Sequence, residues 1–208
     1  MEDIFWGNLY KNQEDLANEI PDNFKKVSEY FSVDEFIFPD IDESKEEIEL
    51  LINSIELGQK SKTSVYKEMD KDLFDYFKVL GKELGIKSKD SIDAIEFIKS
   101  NISPLTLDLK RYWNRARPYQ YGYLLDLPIH PLHSKSGTRT PCYPSGHSLQ
   151  AIAFNKILSK KYPNLSVRLD EMESQVHQSR MALGVHFPSD INFSIEIGEY
   201  LTINGLLM

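Results

Sequence analysis

Lys110 and Arg117 stand seven residues apart, two turns of a helix, so one helical face would present both cations. Arginine offers a planar fork of N–H donors and lysine a compact point charge, a pairing suited to a tetrahedral anion. Pro118 follows at once and is expected to end that helix. Taken alone, the pair is also what an ordinary solvated basic face looks like. Pro144-Ser145-Gly146-His147 forms a second cluster at an expected helix start. First-turn N–H groups lack intrahelical acceptors, the helix dipole adds partial positive charge, and glycine admits close approach of an anion. The Ser145 hydroxyl could add a donor, and His147 could move a proton near neutral pH. The plainer alternative is a capping serine with an incidental histidine. In a third cluster, Ser179-Arg180 precede His186 and Asp190 across an expected helix break at Gly184. A carboxylate four residues on could hold one imidazole nitrogen, fix its tautomer and leave the other free as nucleophile or ligand.

The elements that must position these groups read as helices. Apolar residues recur at helical spacing over Asp22–Phe31, Glu43–Leu57, Thr63–Leu84 and Asp90–Ser100. Ser103-Pro104 reads as an N-cap and first helical residue, opening a helix to about Arg115. Leu124 to Tyr143 holds Pro128, Pro131, Gly137 and Pro141 and is expected to be a loop. Helices follow over Ser145–Lys161, Ser166–Leu183 and from Pro188 towards Leu207. Strand-like alternation is scarce. The expected fold class is all-α: a single-domain bundle of seven or eight helices, residues 1–208, with the site at the ends and inner faces of the C-terminal helices. Residues 1–100 form an acidic helical cover, and 101–208 carry the motifs.

Charge is distributed unevenly. The formal net charge is −8, yet Phe97 to Leu169 holds eleven Lys or Arg and two acids, Asp108 and Asp126. A basic window inside an acidic protein suits a small anionic ligand and argues against nucleic acid as partner. No window approaches 18 uninterrupted apolar residues, and the acidic N-terminus is unlike a signal peptide, so no membrane span and a cytoplasmic location are expected. Cys142 is the single cysteine, which excludes an internal disulfide.

Together the clusters form a longer pattern: Lys110 through Arg117-Pro118, then Pro144 to His147, then Ser179-Arg180 through His186 to Asp190. This pattern resembles that of the type 2 phosphatidic acid phosphatase superfamily, which includes bacterial class A acid phosphatases and vanadium haloperoxidases. All eleven specified positions match, over roughly the last half of the chain.

The resemblance implies that Lys110, Arg117, Ser145, Gly146 and Arg180 bind phosphoryl oxygens. It implies that His186 attacks phosphorus, that Asp190 orients it, and that His147 serves as general acid and then base. It implies a phosphatase without metal or other cofactor; the lack of an apolar span and the basic window add the expectation that it is soluble and takes a small phosphorylated substrate. The alternative is a haloperoxidase holding vanadate in the same pocket. His130 and His133 are spaced like metal ligands, but two loop histidines are too few for a site. The aromatic run Tyr112, Trp113, Tyr119, Tyr121 and Tyr123 is expected to divide between core and pocket mouth. The acidic first half could cover the core, act as a lid or build a homo-oligomer interface.

Overall fold

The computed structural model describes residues 20–40, 45–61, 63–129 and 140–207. Helices dominate, and the described residues contain no β-strand, in agreement with the expected all-α class. The first half contributes α1 (Asp22–Phe31), α2 (Lys45–Ser61), α3 (Thr63–Lys71), α4 (Leu73–Glu83) and α5 (Ser88–Phe97). The second contributes α6 (Ser103–Trp113), α7 (Pro118–Leu125), α8 (Gly146–Lys161), α9 (Ser166–Ala182) and α10 (Pro188–Ile203).

Three boundaries differ from the sequence expectation, each for a local reason. The stripe from Thr63 to Leu84 is two helices, because Asp72 is extended and its side chain accepts the Asp75 N–H at 2.9 Å. Aspartate at an N-cap satisfies a first-turn donor and so favours a restart there. Ser103 is not an N-cap: its backbone is already helical, and a π turn over Ile98–Ile102 links α5 to α6. Pro104 cannot donate to a carbonyl four residues back, and a widened turn just before it accommodates that loss. Finally, α6 stops at Trp113 because Asn114 adopts the left-handed conformation, with φ 48°. Asparagine tolerates that region better than most residues. Arg117 therefore lies outside the helix of Lys110, and Pro118 opens α7 instead of ending α6.

Helix α8 runs through the middle, packed against α5, α6, α9 and α10. Leu149, Ala151, Ile152, Ala153, Phe154 and Leu158 are all buried, so α8 is apolar on several faces, as a central helix must be. Phe154 stacks on Phe77 of α4 with ring centroids 4.2 Å apart. The first half covers this core: α1 packs on α6, α3 on α9, and α2 on both α9 and α10. Helices α8 and α10 meet where a Cβ on Gly198 would lie 2.5 Å from the Ile152 Cγ2. Gly198→Ala is expected to lower stability by about 1–2 kcal/mol, since overpacking against a stiff β-branched side chain outweighs the gain in helix propensity. A thermal melt should show a Tm fall of roughly 3–6 °C.

Candidate active site

The Gly184 turn and the start of α10 place His186 beside Asp190. Gly184 has φ +67°, a conformation that glycine adopts without steric penalty, and it carries the chain out of α9. Pro188 then occupies the first position of α10, with Asp190 in its first turn. Asp190 Oδ2 accepts the Phe187 N–H at 2.9 Å and lies 3.1 Å from His186 Nδ1. The carboxylate is acceptor-only, so Nδ1 carries the proton and Nε2 carries the lone pair. Both side chains are buried. Burial first, then the charges of Arg117, Lys110 and Arg180, hold the His186 pKa well below its ordinary value. The imidazole is therefore neutral at physiological pH, the form that can attack an electrophile.

Lys110 and Arg117 converge on one carbonyl, although no helix face holds them together. Lys110 Nζ donates to Pro141 O, and Arg117 Nη2 donates to the same oxygen at 3.3 Å. Arg117 also donates to Thr140 O at 2.7 Å, Val185 O at 2.8 Å and Thr140 Oγ1 at 3.1 Å. Its Nη1 lies 3.3 Å from His186 Nε2. Among the described residues neither cation has a carboxylate partner. Burial, then the Arg117 charge, push the Lys110 pKa well below its ordinary value. A bound anion would reverse that shift, so the pair favours anion binding.

Ser145 precedes α8 but does not cap it: its buried hydroxyl makes no hydrogen bond among the described residues. Its backbone is pinned instead, the N–H donating to Asp190 O at 3.0 Å and the carbonyl accepting from Ser194 Oγ at 3.0 Å. The first intrahelical bond runs from Leu149 N to Ser145 O, which leaves the N–H groups of Gly146, His147 and Ser148 without an intrahelical acceptor. A Cβ at Gly146 would sit 3.3 Å from Thr106 Cγ2 and 3.8 Å from Lys110 Cε, crowding the approach to these donors. His147 is partly exposed, and burial followed by the charge of Arg180 depresses its pKa well below the ordinary value.

Arg180 is fully buried and donates through Nη2 to Asp70 of α3 at 2.7 Å. Its Nε and Nη1 make no hydrogen bond among the described residues. A cavity of about 190 Å³ is lined by Lys110, Arg117, Gly146, His147 and His186, with Ser103, Thr106, Leu107, Thr140 and Gln150 completing its wall. Ser145, Arg180 and Asp190 are buried and are not on that wall. A larger hollow of about 600 Å³ runs along Tyr119, Tyr123 and Ile129, where Asp126 is the one acidic or basic side chain among the described residues, whereas two histidines, a lysine and an arginine line the smaller one. Of the aromatic run, Trp113 and Tyr121 are buried as expected, but none of the five lines the site cavity: Tyr119 and Tyr123 lie on the larger hollow, and Tyr112 is exposed.

Ser145→Ala tests what this hydroxyl does. A helix cap would lose about 1 kcal/mol of stability on truncation. An unpartnered buried hydroxyl loses none, so the variant should melt at or slightly above the wild-type temperature. If the hydroxyl serves a bound phosphoryl group, kcat/KM should fall about 10²-fold.

Arg115 carries no signal in the three-part pattern, yet it sits closest to Asp190. Its Nη1 donates to Asp190 Oδ1 at 2.7 Å and to Ser189 Oγ at 2.6 Å, and its Nη2 donates to Glu47 Oε2 at 3.2 Å. The one available clue was its place in an Arg-Ala-Arg-Pro run, where a second guanidinium stands two residues before the first. Cys142 is buried, its thiol donating to Ala116 O at 2.8 Å. Among the described residues no group of three or more His, Cys, Asp or Glu could hold a metal ion, and His130 and His133 lie outside the described residues.

A family model of the PAP2 superfamily matches residues 97–207. The chain belongs to the PAP2 superfamily. The match spans every motif residue from Lys110 to Asp190 and begins where the π turn leads into α6. The PAP2 fold recurs in a solved structure: a transmembrane PAP2-type phosphatidylglycerolphosphate phosphatase from Bacillus subtilis is 19% identical, with a TM-score of 0.54 over 88% of this chain and 92% of that one. No curated protein sequence matches the chain. Membership in the PAP2 superfamily supports a phosphatase activity in general terms. Among the described residues, no helix of this PAP2 protein is long and apolar enough to cross a membrane.

Proposed function

We propose that this PAP2 protein hydrolyses small phosphomonoesters through a phosphohistidine intermediate on His186, without a metal. The observation that carries the reading is the His186–Asp190 hydrogen bond, 3.1 Å long, which turns the Nε2 lone pair, 3.3 Å from Arg117 Nη1, towards a cavity shared with Lys110, Arg117 and His147. In the first step the Nε2 lone pair forms a bond to phosphorus, the P–O ester bond breaks, and His147 gives a proton to the departing alkoxide. In the second, water attacks phosphorus, passes a proton to His147, and the P–N bond breaks to restore Nε2. The transferring group spreads charge over its equatorial oxygens, which Lys110, Arg117 and the Gly146 N–H on the cavity wall are suited to stabilise; the Ser145 hydroxyl and Arg180, buried off that wall, keep donor atoms without partners among the described residues and are proposed to join them.

The proton needed by His147 is absent from the empty site at neutral pH, since burial and four neighbouring positive or ionisable groups oppose it. A phosphomonoester has a second pKa near 6 and can bring that proton in as its monoanion. A cavity of about 190 Å³ accepts the phosphoryl group and a short leaving group, so a small water-soluble ester is the favoured substrate class. A cytoplasmic location accords with such a substrate.

The test is hydrolysis of a chromogenic phosphomonoester between about pH 4 and 8, without added metal and with or without vanadate. Turnover that survives a chelator and is blocked by vanadate supports the reading. No turnover, with halide oxidation on adding vanadate and peroxide, would replace it with a haloperoxidase. Faster hydrolysis of a phosphatidylglycerolphosphate-type lipid in micelles than of any soluble ester would overturn the substrate class alone.

A further inference from the structure

Attack by His186 Nε2 requires the imidazole to stay aimed, and its aim depends on what holds Asp190. One carboxylate oxygen serves His186 and the Phe187 N–H, and the other accepts from Arg115. Arg115 is tied in turn to Ser189 Oγ and to Glu47, whose second oxygen accepts the Ser189 N–H. These contacts close a ring through Glu47, Arg115, Ser189 and Asp190 that fixes the first turn of α10. The Arg115 guanidinium is 1% exposed and lies over the rings of Phe187 and Phe38, at 4.2 Å and 4.9 Å. Burial alone would draw its pKa down, but Asp190, with Glu47 also contributing, raises it above the ordinary value. Arg115 does not line the cavity, and Glu47 lies on α2, before the matched residues 97–207 begin.

We propose that Arg115 and Glu47 are positioning residues for phosphoryl transfer: Arg115 orients Asp190, and through it His186, while Glu47 locks Arg115 onto the start of α10. The proposal rests on the phosphatase reading above. A carboxylate held at both oxygens cannot rotate about its side chain, whereas one held at a single oxygen can. Misplacement of a reacting atom by about 1 Å can slow a reaction about 10²-fold. Glu47 gives the first half of the chain a catalytic duty beyond covering the core.

The test combines kinetics with a readout that needs no turnover. Arg115→Lys keeps the charge but lacks the fork needed to reach Asp190, Ser189 and Glu47 together. It should lower kcat about 10- to 100-fold while binding of inorganic phosphate stays within about twofold, because no hydrogen bond or charge that holds the anion is removed. Glu47→Gln should act in the same direction with a smaller drop. In an Asp190→Asn background the Arg115→Lys change should have almost no further effect, since the group it acts through is already altered. Equal losses in both backgrounds, or a parallel loss of phosphate binding, would overturn the proposal. Thermal melts identify any variant that fails to fold, and Glu47→Gln, which leaves the Arg115–Asp190 pair in place, then decides by the same criteria.

The second readout is the downfield proton resonance of His186 Nδ1–H, assigned by its absence from His186→Ala. It should shift or broaden in Arg115→Lys; an unchanged resonance would also overturn the proposal. If the wild-type protein shows no phosphatase turnover, the phosphatase reading fails, and this resonance alone decides whether Arg115 holds the Asp190–His186 pair.

Discussion

His186→Ala is expected to lower kcat for a chromogenic phosphomonoester by about 10⁴-fold or more, the scale seen when a nucleophile is removed from a concerted site. The loss should lie in kcat and not in binding. Lys110, Arg117, Arg180 and the first turn of α8 do not depend on the imidazole for their places, because they are held by Pro141 O, Thr140 O, Asp70 and the Ser145 backbone. Inorganic phosphate should therefore still raise the Tm of the variant.

Asp190 keeps its Arg115 and Phe187 N–H donors when the ring is removed, so the buried carboxylate does not become an unpaired charge. The expected penalty in stability is that of a truncated buried side chain, not of a broken ion pair. A rapid-quench experiment on the wild-type protein in alkali should trap one phosphoryl group per chain, attached at His186. Trapping none with wild type, or the same amount with the variant, would remove His186 from the nucleophile's role.

Much of this site could be read in the chain because its parts are local. His186 and Asp190 are four residues apart across a helix start, and Ser145 to His147 are consecutive, so spacing and helix-end chemistry are enough to place them. The spacing of Lys110 and Arg117 suggests one helical face; the structure separates them at Asn114, yet both still reach the cavity wall. Helical periodicity cannot register a single left-handed residue such as Asn114, and Pro118, four residues later, suits a helix start as well as a helix end. Asp72 was overlooked for a related reason: Met69, Leu73 and Phe77 continue the apolar stripe on both sides of the break.

The pairings that could not be read join residues far apart in the chain. Arg115 meets Glu47 and Asp190 across 68 and 75 residues, and Arg180 meets Asp70 across 110. No local pattern marks Glu47 and Asp70 among the many acids of the first half. They matter because four buried cations in one region repel each other. Glu47, Asp70 and Asp190 compensate Arg115 and Arg180, and leave Lys110 and Arg117 as the pair without a carboxylate among the described residues.

His147→Ala should separate the two halves of the reaction. With an alkyl phosphomonoester the leaving oxygen needs a proton, so both steps slow and kcat falls about 10²- to 10⁴-fold. With an activated aryl ester the phenolate departs without help, so the first step survives while water attack on phosphohistidine is slowed. The variant should then release a burst of phenolate equal to the enzyme present, followed by slow turnover, and the alkyl ester should show no burst. A burst with both esters would deny His147 the acid's role; wild-type steady-state rates would deny it both roles.

The same residue leaves a mark on stability. Burial and the neighbouring charges lower the His147 and His186 pKa values in the folded, empty protein. As pH falls below about 6.5, the unfolded chain takes up protons that the folded site refuses, so stability is full above that value and declines beneath it. His147→Ala removes one of the two refused protons. Its Tm should therefore fall less steeply than wild type between about pH 7 and 5, and matching slopes would mean that His147 takes its proton in the folded site as readily as in water.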